Sequence, residues 1–371
     1  MIFTCEKSEL QEACIIASRA VPAKSPVPSM EGFLIESTEN NRIKITAYDL
    51  KKAIYTSVDA DVDEQGTMIP NARFFGEMLR RMPDGKITVS CDDNNNIYVK
   101  CGKSEYNFPG LDDSEYPEIP VLDVKNSVEI PEKILKNMIS RTLFAVAKEE
   151  IRPIYTGSLF EIIDDELTLV SVDGYRLARR SEKLESCKLE NCSFIVPGFA
   201  LSDIEKICGE SGDNVQITVG EKHISFAIGS TVVITRRLEG DFLNHRKSVP
   251  ESFRYTVKVK KQDLTATIER VSLILSESNT IPVKISFGDD RLNCQCISPI
   301  GKAQDVCPCE GSGDGLEIGF NDRYLLDALK AAETDELLVC VNTSSSPCVI
   351  KAADSPDNFA YMILPVRLRQ G

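Results

Sequence analysis

Cysteine is the residue type in this chain with the most chemistry to offer, because thirteen of the 371 residues are cysteines. Two pairs are close in sequence, namely Cys294 with Cys296 and Cys307 with Cys309. Neither pair has the two-residue spacer of a zinc knuckle, and the two histidines, His223 and His245, stand far from both pairs. An odd number of cysteines without a secretion signal indicates reduced thiols, so the cysteines predict neither disulfides nor a metal site.

Paired carboxylates are the next candidates for chemistry, since two adjacent acids could share acid and base roles. Asp164 with Asp165 and Asp289 with Asp290 form such pairs. Both pairs fall between apolar runs, where aspartate favours the backbone geometry of a hairpin turn. The chain lacks a phosphate-binding loop, a dinucleotide-binding glycine turn, a His-Glu zinc helix and a Gly-x-Ser-x-Gly elbow. With no clustered triad either, the sequence predicts no catalytic residues and no cofactor, hence a protein that is not an enzyme.

Composition places the chain among ordinary globular proteins, with room for two or three domains. The chain is 42% hydrophobic and 27% charged, and its formal net charge is −14. It has no run of about 18 apolar residues, and its start has no signal-peptide core, so we expect a cytoplasmic protein without a membrane segment. The acidic charge argues against a surface that coats nucleic acid everywhere, but it leaves room for a local basic face.

A threefold internal repeat is the main feature of the sequence. Apolar residues at helical spacing predict one opening helix per repeat, over residues 8–21, 131–147 and 261–275. In each repeat a proline follows a leucine of this helix at the same distance of 18 residues: Leu10 with Pro28, Leu135 with Pro153 and Leu264 with Pro282. A spacing that is kept three times indicates repetition of one structural unit.

The remainder of each repeat alternates strands and helices in the same order. Hairpins with turn residues follow each proline, over residues 32–47, 158–172 and 283–297. Second helices are predicted over residues 71–82, 198–208 and 322–332, and further strands follow each of them. Each repeat is therefore an α+β domain of about 120 residues. The three domains are predicted at residues 1–121, 122–250 and 251–371.

Three internally doubled domains in one chain suggest a closed assembly. Each domain has two helices and two sets of strands, so the helices can pack on one face of the antiparallel sheets and leave the strands outside. A unit repeated by a constant rotation either closes or forms an open helix. Three domains would make half of a six-domain ring, and a head-to-tail homodimer would close it.

Four stretches of sequence, in order along the repeat, resemble those of one protein family. They read Ser171-Val-Asp-Gly-Tyr-Arg-Leu-Ala178, Arg237-Leu-Glu-Gly-Asp-Phe242, Phe320-Asn-Asp-Arg-Tyr-Leu-Leu-Asp327 and Tyr361-Met-Ile-Leu-Pro-Val-Arg-Leu368. Over essentially its whole length the chain resembles the bacterial β sliding clamp, the processivity subunit of the replicative DNA polymerase III. It departs from the family at Tyr175, where histidine is common, and it runs past Leu368 to Gly371, where some relatives stop.

The resemblance implies a non-catalytic ring that encircles duplex DNA without reading its sequence. The implied partners are the replicative polymerase catalytic subunit, an ATP-dependent clamp loader, other proteins with clamp-binding peptides and a second copy of the chain. Helices would line the hole and hold DNA through phosphate contacts, which carry no base information and permit sliding. The candidate DNA-binding residues are Lys24, Arg73, Arg80, Arg141, Arg152 and Lys206.

The resemblance also implies a groove between the second and third domains, into which clients insert a peptide with bulky apolar side chains. Its wall comprises Tyr155, Val172, Gly174, Tyr175, Arg176, Leu177, Pro250, Ser346, Met362, Leu364, Pro365, Val366 and Arg367. Leu177, Met362 and Leu364 would form the apolar floor. Arg176 and Arg367 would orient the peptide, and residues 369–371 would partly cover the groove.

The ring seam would join Tyr106 on an edge strand to Ile274 and Leu275 at a helix end, and so shield an exposed sheet edge. Alternatives remain for each site from the residues themselves. The basic residues could belong to ordinary solvated helix faces, and the apolar groove and seam residues could be internal core. A repeat scaffold that binds proteins without encircling DNA is the alternative function, and a basic face shared by the helices would argue against it.

Overall fold

Helices and strands alternate along the chain in the order that the repeat predicts. The computed structural model describes residues 1–122, 127–149, 151–184, 191–210, 212–275, 281–355 and 358–368. Its α-helices are α1 Lys7–Ala17, α2 Ala72–Arg81, α3 Glu132–Ser140, α4 Gly198–Ile207, α5 His245–Ser248, α6 Lys261–Ser272 and α7 Asp322–Ala331. Short 3-10 helices cover Ser18–Ala20, Pro28–Glu31, Leu143–Ala145 and Pro153–Thr156. The predicted α+β fold with two helices per repeat is thus confirmed, with α1, α3 and α6 as opening helices and α2, α4 and α7 as second helices.

The first repeat contains nine strands among the described residues: β1 Ile2–Glu6, β2 Leu34–Thr38, β3 Arg42–Tyr48, β4 Lys52–Asp59, β5 Asp61–Glu64, β6 Thr67–Met68, β7 Lys86–Cys91, β8 Asn96–Cys101 and β9 Ser104–Pro109. The second repeat begins with β10 Ser127–Pro131. The second repeat continues with β11 Gly157–Ile163, β12 Glu166–Val172, β13 Arg176–Lys183, β14 Cys192–Pro197, β15 Asn214–Val219, β16 His223–Ile228 and β17 Thr231–Arg236. The third has β18 Tyr255–Lys260, β19 Val283–Gly288, β20 Arg291–Ser298, β21 Gly301–Pro308, β22 Leu316–Phe320, β23 Glu336–Val341, β24 Cys348–Ala352 and β25 Phe359–Ile363.

The second helices of the first and third repeats begin in the same way, because an asparagine caps each of them. The side chain of Asn71 accepts a hydrogen bond from Phe74 N at 3.1 Å, and that of Asn321 accepts one from Tyr324 N at 3.2 Å. These bonds satisfy a backbone donor that a helix start otherwise leaves open. The third helical residue is therefore Phe74 in α2 and Tyr324 in α7, and this equivalence is used below.

The strands form six antiparallel half-sheets, two for each repeat. The leading half-sheets have the orders β6-β2-β3-β4, β14-β11-β12-β13 and β22-β19-β20-β21. The closing half-sheets have the orders β1-β7-β8-β9, β10-β15-β16-β17 and β18-β23-β24-β25, and β5 extends the first of them beside β1. We call β4, β13 and β21 the third strands, and β9, β17 and β25 the closing strands.

Two junctions between repeats are made by pairing a third strand with a closing strand. β4 pairs with β17 and β13 pairs with β25, so each junction merges two half-sheets into one eight-stranded sheet. In both junctions the first residue of the closing strand lies opposite the fifth residue of the third strand: Thr231 opposite Thr56, and Phe359 opposite Arg180. The remaining third strand, β21, and the remaining closing strand, β9, are edges of their sheets.

The chain divides into two compact units, and each contains one of the eight-stranded sheets. The first unit comprises Met1–Leu135 with Asp203–Arg237, and the second comprises Lys136–Ser202 with Leu238–Gly371. Each unit contains one part of the middle repeat. Backbone hydrogen bonds tie the closing half-sheet of this repeat to the first repeat, and its leading half-sheet to the third. The domain boundaries predicted at residues 121 and 250 describe the sequence repeat and not these two units, and they stay a prediction.

A strand-to-helix ion pair reinforces each junction. In the first unit Lys52, the first residue of β4, forms a buried ion pair with Asp203, the sixth residue of α4. In the second unit Arg176, the first residue of β13, pairs with Asp327, the sixth residue of α7, at 2.6 Å. Arg176 and Asp327 lie 124 residues after Lys52 and Asp203. The two pairs are therefore the same interaction, repeated.

Several strands were not predicted from the sequence. β1, β10 and β18 run directly into the opening helices α1, α3 and α6. The third strands extend each predicted hairpin to three strands. Their side-chain types do not alternate between apolar and polar: β4 reads Lys-Ala-Ile-Tyr-Thr-Ser-Val-Asp and β21 reads Gly-Lys-Ala-Gln-Asp-Val-Cys-Pro. The period of two that identifies a half-buried strand in a sequence is therefore missing, although burial alternates from Ile54 to Asp59 and from Lys302 to Pro308.

Breaking the first ion pair tests the junction. We expect Lys52→Met to lower the free energy of unfolding by about 3 kcal/mol, because it leaves the buried Asp203 carboxylate without its main partner. Lys44→Met is the matched control: Lys44 pairs with Glu36 at 2.8 Å, but both side chains are about one-third exposed, so it should cost about 1 kcal/mol or less. Urea denaturation of both variants measures the difference. Equal losses would show that the buried pair adds nothing specific to the junction.

Candidate functional site

The strand ladder between β13 and β25 builds the site. Leu177 lies opposite Met362 in this ladder, and Ala178 lies opposite Tyr361. Because neighbouring residues of a strand point to opposite faces, these two pairs belong to different clusters. The strand-face cluster comprises Tyr155, Leu159, Val170, Val172, Leu177, Ile195, Val249, Cys340, Val349, Ala360 and Met362. The helix-face cluster on the other side contains Ala178, Tyr361 and Ile363 together with residues of α6 and α7.

Four of the thirteen predicted groove residues lie together in the strand-face cluster: Tyr155, Val172, Leu177 and Met362. Leu177 is 1% exposed and Met362 is 7% exposed, so these side chains form a floor whose upper surface alone can meet a ligand. Of the other predicted groove residues, Pro250, Ser346, Leu364, Pro365 and Val366 are half-buried, Arg176 is buried, and Gly174, Tyr175 and Arg367 are exposed. Residues 369–371, which were expected to cover the groove, lie outside the described residues.

The segment that follows β17 adds apolar residues to the strand-face cluster that the sequence analysis did not name. Val249 belongs to the strand-face cluster, and Phe242 and Leu243 pack against it. The Phe242 ring meets the Tyr155 ring edge to face, with centroids 5.6 Å apart. Phe242 ends one of the family-like sequence stretches. An aromatic residue that follows acidic residues in a linker could therefore have indicated a packed segment.

His245 and Glu161 hold this segment against β11. His245 is buried, its Nε2 atom lies 3.1 Å from Glu161 Oε2, and Arg246 donates to the same oxygen at 2.8 Å. Asn244 caps the short helix α5 by accepting from Lys247 N. Burial lowers the pKa of His245, although the Glu161 carboxylate opposes that shift. The imidazole is therefore a neutral structural group at pH 7.

Arg176 does not point freely into the groove, because its guanidinium is fully engaged. It donates to Asp173 Oδ2 at 2.9 Å, to Asp327 Oδ2 at 2.6 Å and to Phe144 O at 2.7 Å. Its charge also lies over the Tyr324 ring, 4.4 Å from the centroid. A buried guanidinium with this many partners is held rigidly. The role of Arg176 in orienting a peptide stays a prediction; in the structure its guanidinium joins the turn at Asp173 to α7 and to the 3-10 helix Leu143–Ala145.

Tyr175 forms the exposed corner of the site. The Asp173 side chain accepts from Tyr175 N at 2.9 Å and closes the turn, with Gly174 at φ +94°. The Tyr175 carbonyl in turn accepts from Leu364 N at 2.9 Å and ties the end of β25 to this turn. The Tyr175 ring stacks on Tyr324, with centroids 6.4 Å apart. Tyr324 was missed in the sequence, although it lies within a family-like stretch.

The candidate DNA-binding residues differ in how freely they can move. Lys24, Arg73, Arg80, Arg152 and Lys206 are exposed. Arg80 pairs with Glu77 on its own helix at 2.6 Å, and the Arg152 guanidinium lies 5.6 Å from the Tyr155 ring centroid. Arg141 is half-buried, lies 3.6 Å from Glu333 and donates to Lys330 O. Five of the six side chains are thus exposed, while Arg141 contacts Glu333 and Lys330, and DNA binding by all six stays a prediction.

The candidate seam residues are also placed differently from one another. Tyr106 is 40% exposed on the edge strand β9. Leu275 packs against the helix-face cluster and Ile274 is half-buried. Leu273, which was not predicted, is 81% exposed at the end of α6. Buried residues of α6 recur as Leu264, Ile268 and Val271, and this spacing carries on to Leu275 and leaves Leu273 outside.

Nine of the twelve cysteines in the described part of the chain are buried, and all twelve are free thiols. Burial raises the pKa of Cys5, Cys294 and Cys307 to about 12, so these thiols stay protonated at neutral pH. Within the same part, no group of three or more His, Cys, Asp or Glu side chains is arranged to hold a metal ion. None of the helices described is long and apolar enough to cross a membrane.

Models of one protein family match three consecutive stretches of the chain. The N-terminal, central and C-terminal domains of the DNA polymerase III beta subunit match residues 1–120, 129–244 and 246–367. Beta sliding clamps of Staphylococcus epidermidis and Staphylococcus aureus are 31% and 30% identical to the chain over 359 residues, which is 94% of each chain.

Solved structures agree with these matches. The DNA polymerase sliding clamp from Bacillus subtilis superposes with a TM-score of 0.95 at 27% identity and covers 100% of both chains. The putative DNA polymerase III beta subunit from Eubacterium rectale gives a TM-score of 0.94 at 28% identity, covering 99% of this chain and 100% of its own.

Proposed function

The chain belongs to the DNA polymerase III beta subunit family, so its function is that of a DNA sliding clamp, and we propose that two copies form a head-to-tail ring around duplex DNA. In this proposal client proteins, the polymerase catalytic subunit first among them, bind the strand-face cluster by short peptides. The protein is proposed to be non-catalytic. Its role is then mechanical: it keeps an enzyme close to DNA that it does not itself alter.

One observation carries the proposal of a ring. Two junctions inside the chain join a third strand to a closing strand, and the one remaining strand of each kind, β21 and β9, is left as a sheet edge. An open edge exposes unpaired backbone groups and favours association with another strand. A second copy offers β9 to β21, and the reverse contact closes the ring by symmetry.

The register of this seam follows from the two internal junctions. If the first residue of β9 lies opposite the fifth residue of β21, then Ser104 faces Asp305 of the partner subunit. Two residues further on, Tyr106 faces Ala303 of the partner subunit. Both would point to the helix side, since Tyr106 pairs with the buried Val99 and Ala303 with the buried Cys296. The aromatic ring would then cover a small side chain close to Leu273 at the end of α6.

Charge substitution at Tyr106 tests the seam. We expect the wild-type protein to be a dimer at micromolar concentration and Tyr106→Lys to be a folded monomer, because a buried unpaired ammonium is costly at an interface. Tyr98→Lys is the matched control: Tyr98 is 43% exposed on the neighbouring strand β8, but it lies opposite Asn107 and so points away from the helix side. Light scattering gives the masses. A monomeric wild-type protein would contradict the ring.

Contact with DNA is proposed to use phosphates alone. Lys24, Arg73 and Lys206 are exposed and, among the described residues, form no ion pair within 4 Å. Lysine and arginine on flexible exposed side chains suit sequence-independent phosphate contacts, which weaken as salt rises. A chain with a net charge of −14 needs encirclement in addition to these contacts in order to stay on DNA. Because a closed ring cannot thread itself onto circular DNA, the proposal includes an ATP-dependent clamp loader.

The strand-face cluster is proposed to bind client peptides. Its floor of Leu177 and Met362 is apolar and rigid, because both residues lie in a paired ladder. Leu364 continues from β25 at a half-buried position, and its N–H is fixed by Tyr175 O. A pre-formed apolar surface of this kind takes bulky anchors at a small entropic cost. One small site also allows several clients to use one ring in turn.

Truncation of the floor tests this assignment. We expect Met362→Ala combined with Leu364→Ala to weaken binding of a fluorescent hexapeptide ending in two bulky apolar residues by about tenfold or more, since loss of an anchor contact costs about 2 kcal/mol. Ile350→Ala is the control, because Ile350 lies opposite Tyr361 in the same strand pair and is fully buried, but belongs to the helix-face cluster. It should lower the melting temperature but leave the affinity unchanged. An unchanged affinity in the double variant would place the client site elsewhere.

A further inference from the structure

The seam between two copies differs from the internal junctions in its polar contacts. In both internal junctions the first residue of the third strand is basic: Lys52 in β4 and Arg176 in β13. Each pairs with an acid at the sixth position of a second helix. The corresponding residue of β21 is Gly301, which has no side chain. The ion pair that reinforces two junctions therefore has no counterpart at the third.

The acid at the third junction is nevertheless present, and it already has partners. Glu77 is the sixth residue of α2, as Asp203 and Asp327 are the sixth residues of α4 and α7. Glu77 pairs with Arg80 at 2.6 Å and Arg81 at 3.5 Å on its own helix. Its charge is thus compensated without any base from β21, so a glycine in the third strand leaves no buried acid unpaired.

The residue before the third strand indicates what replaces the ion pair. In the second unit Tyr175 directly precedes β13 and stacks on Tyr324, the third residue of α7. By the same positions Ile300 directly precedes β21, and Phe74 is the third residue of α2. Ile300 is 78% exposed and Phe74 is 45% exposed. Ile300 and Phe74 therefore occupy the positions that Tyr175 and Tyr324 occupy in the second unit. A contact between two copies of the chain would cover both of these exposed apolar side chains.

We propose that the seam uses an apolar contact in place of the repeated ion pair, in which Ile300 of one copy packs against Phe74 of the partner subunit. This inference rests on the proposed ring and deepens it. The Phe74 ring is already backed by Phe108, with centroids 4.9 Å apart in an edge-to-face arrangement. By the seam register Phe108 faces Gly301 of the partner subunit, and a residue without a side chain leaves room for the two aromatic rings.

The contact gives the seam a different dependence on salt from the proposed contacts to DNA. An apolar contact between Ile300 and Phe74 is not screened by salt, whereas exposed phosphate contacts weaken as ionic strength rises. The dimer should therefore persist at salt concentrations that release the phosphate contacts to DNA. The ring would then stay closed while its direct hold on DNA weakens.

Introducing opposite charges at the two positions tests the contact between Ile300 and Phe74 directly. We expect Ile300→Glu and Phe74→Lys each to raise the dissociation constant of the dimer by about tenfold or more, because each places an unpaired charge in an apolar contact that occurs twice per dimer. The variant that combines both substitutions should recover most of this loss, and its dimer should become sensitive to salt. Sedimentation equilibrium measures each constant, and circular dichroism confirms folding.

Ile151→Glu is the matched control, since Ile151 is 83% exposed but does not precede a third strand. It should leave the dissociation constant unchanged. A wild-type dimer that is insensitive to Ile300→Glu, or a combined variant as weak as the sum of its parts, would overturn the contact while leaving the ring intact. A wild-type monomer would instead overturn the ring on which the contact rests.

Discussion

Backbone pairing between a third strand and a closing strand is the constraint on which the rest of this structure depends. It merges half-sheets of successive repeats, so the two compact units cut through the middle repeat instead of following the sequence boundaries. It also sets the register that places Leu177 beside Met362. The same rule leaves β9 and β21 open. The proposed groove and the proposed seam thus rest on the same kind of junction, which is paired within the chain at the groove and left unpaired at the seam.

The polar contacts at the junctions decide which surfaces are rigid and which can change partner. Arg176 joins a turn acid, a helix acid and a backbone carbonyl, so the corner that carries Tyr175 is held in place. Pre-organisation of this kind would lower the entropic cost of the proposed peptide binding. At the open edge Gly301 makes no such contact, and the proposed seam depends on apolar residues instead. The proposed opening and closing of the ring would be better served by a contact that leaves no buried charge unpaired when it separates.

The sequence predicted the parts of the fold that repeat with a clear period. Helical spacing, a proline or asparagine at a helix start and apolar runs bounded by turn residues predicted all six main helices and the hairpins. The third strands were missed because their sequences do not alternate apolar and polar side chains: apolar residues are neighbours at Ala53-Ile54 in β4, at Leu177-Ala178 in β13 and at Val306-Cys307 in β21.

The candidate site was predicted by resemblance more than by pattern. Leu177 and Met362 read as strand residues, and only the ladder shows that they face the same cluster. The many partners of Arg176 come from segments far apart in sequence, such as Phe144 and Asp327, which no local pattern connects. The exposure of Leu273 could have been predicted from the sequence. The spacing of buried residues along α6 leads to Leu275, which leaves Leu273 on the outer face.

Retention of the loaded protein on DNA of different topology tests the central claim most directly. The protein would be loaded onto nicked circular DNA with a clamp loader and ATP, washed at a salt concentration that removes phosphate contacts, and measured before and after the circle is cut once. Encirclement predicts that the protein stays on the circle and is lost from the linear ends. Equal retention on circular and linear DNA would contradict encirclement and would mean that surface contacts alone hold the protein.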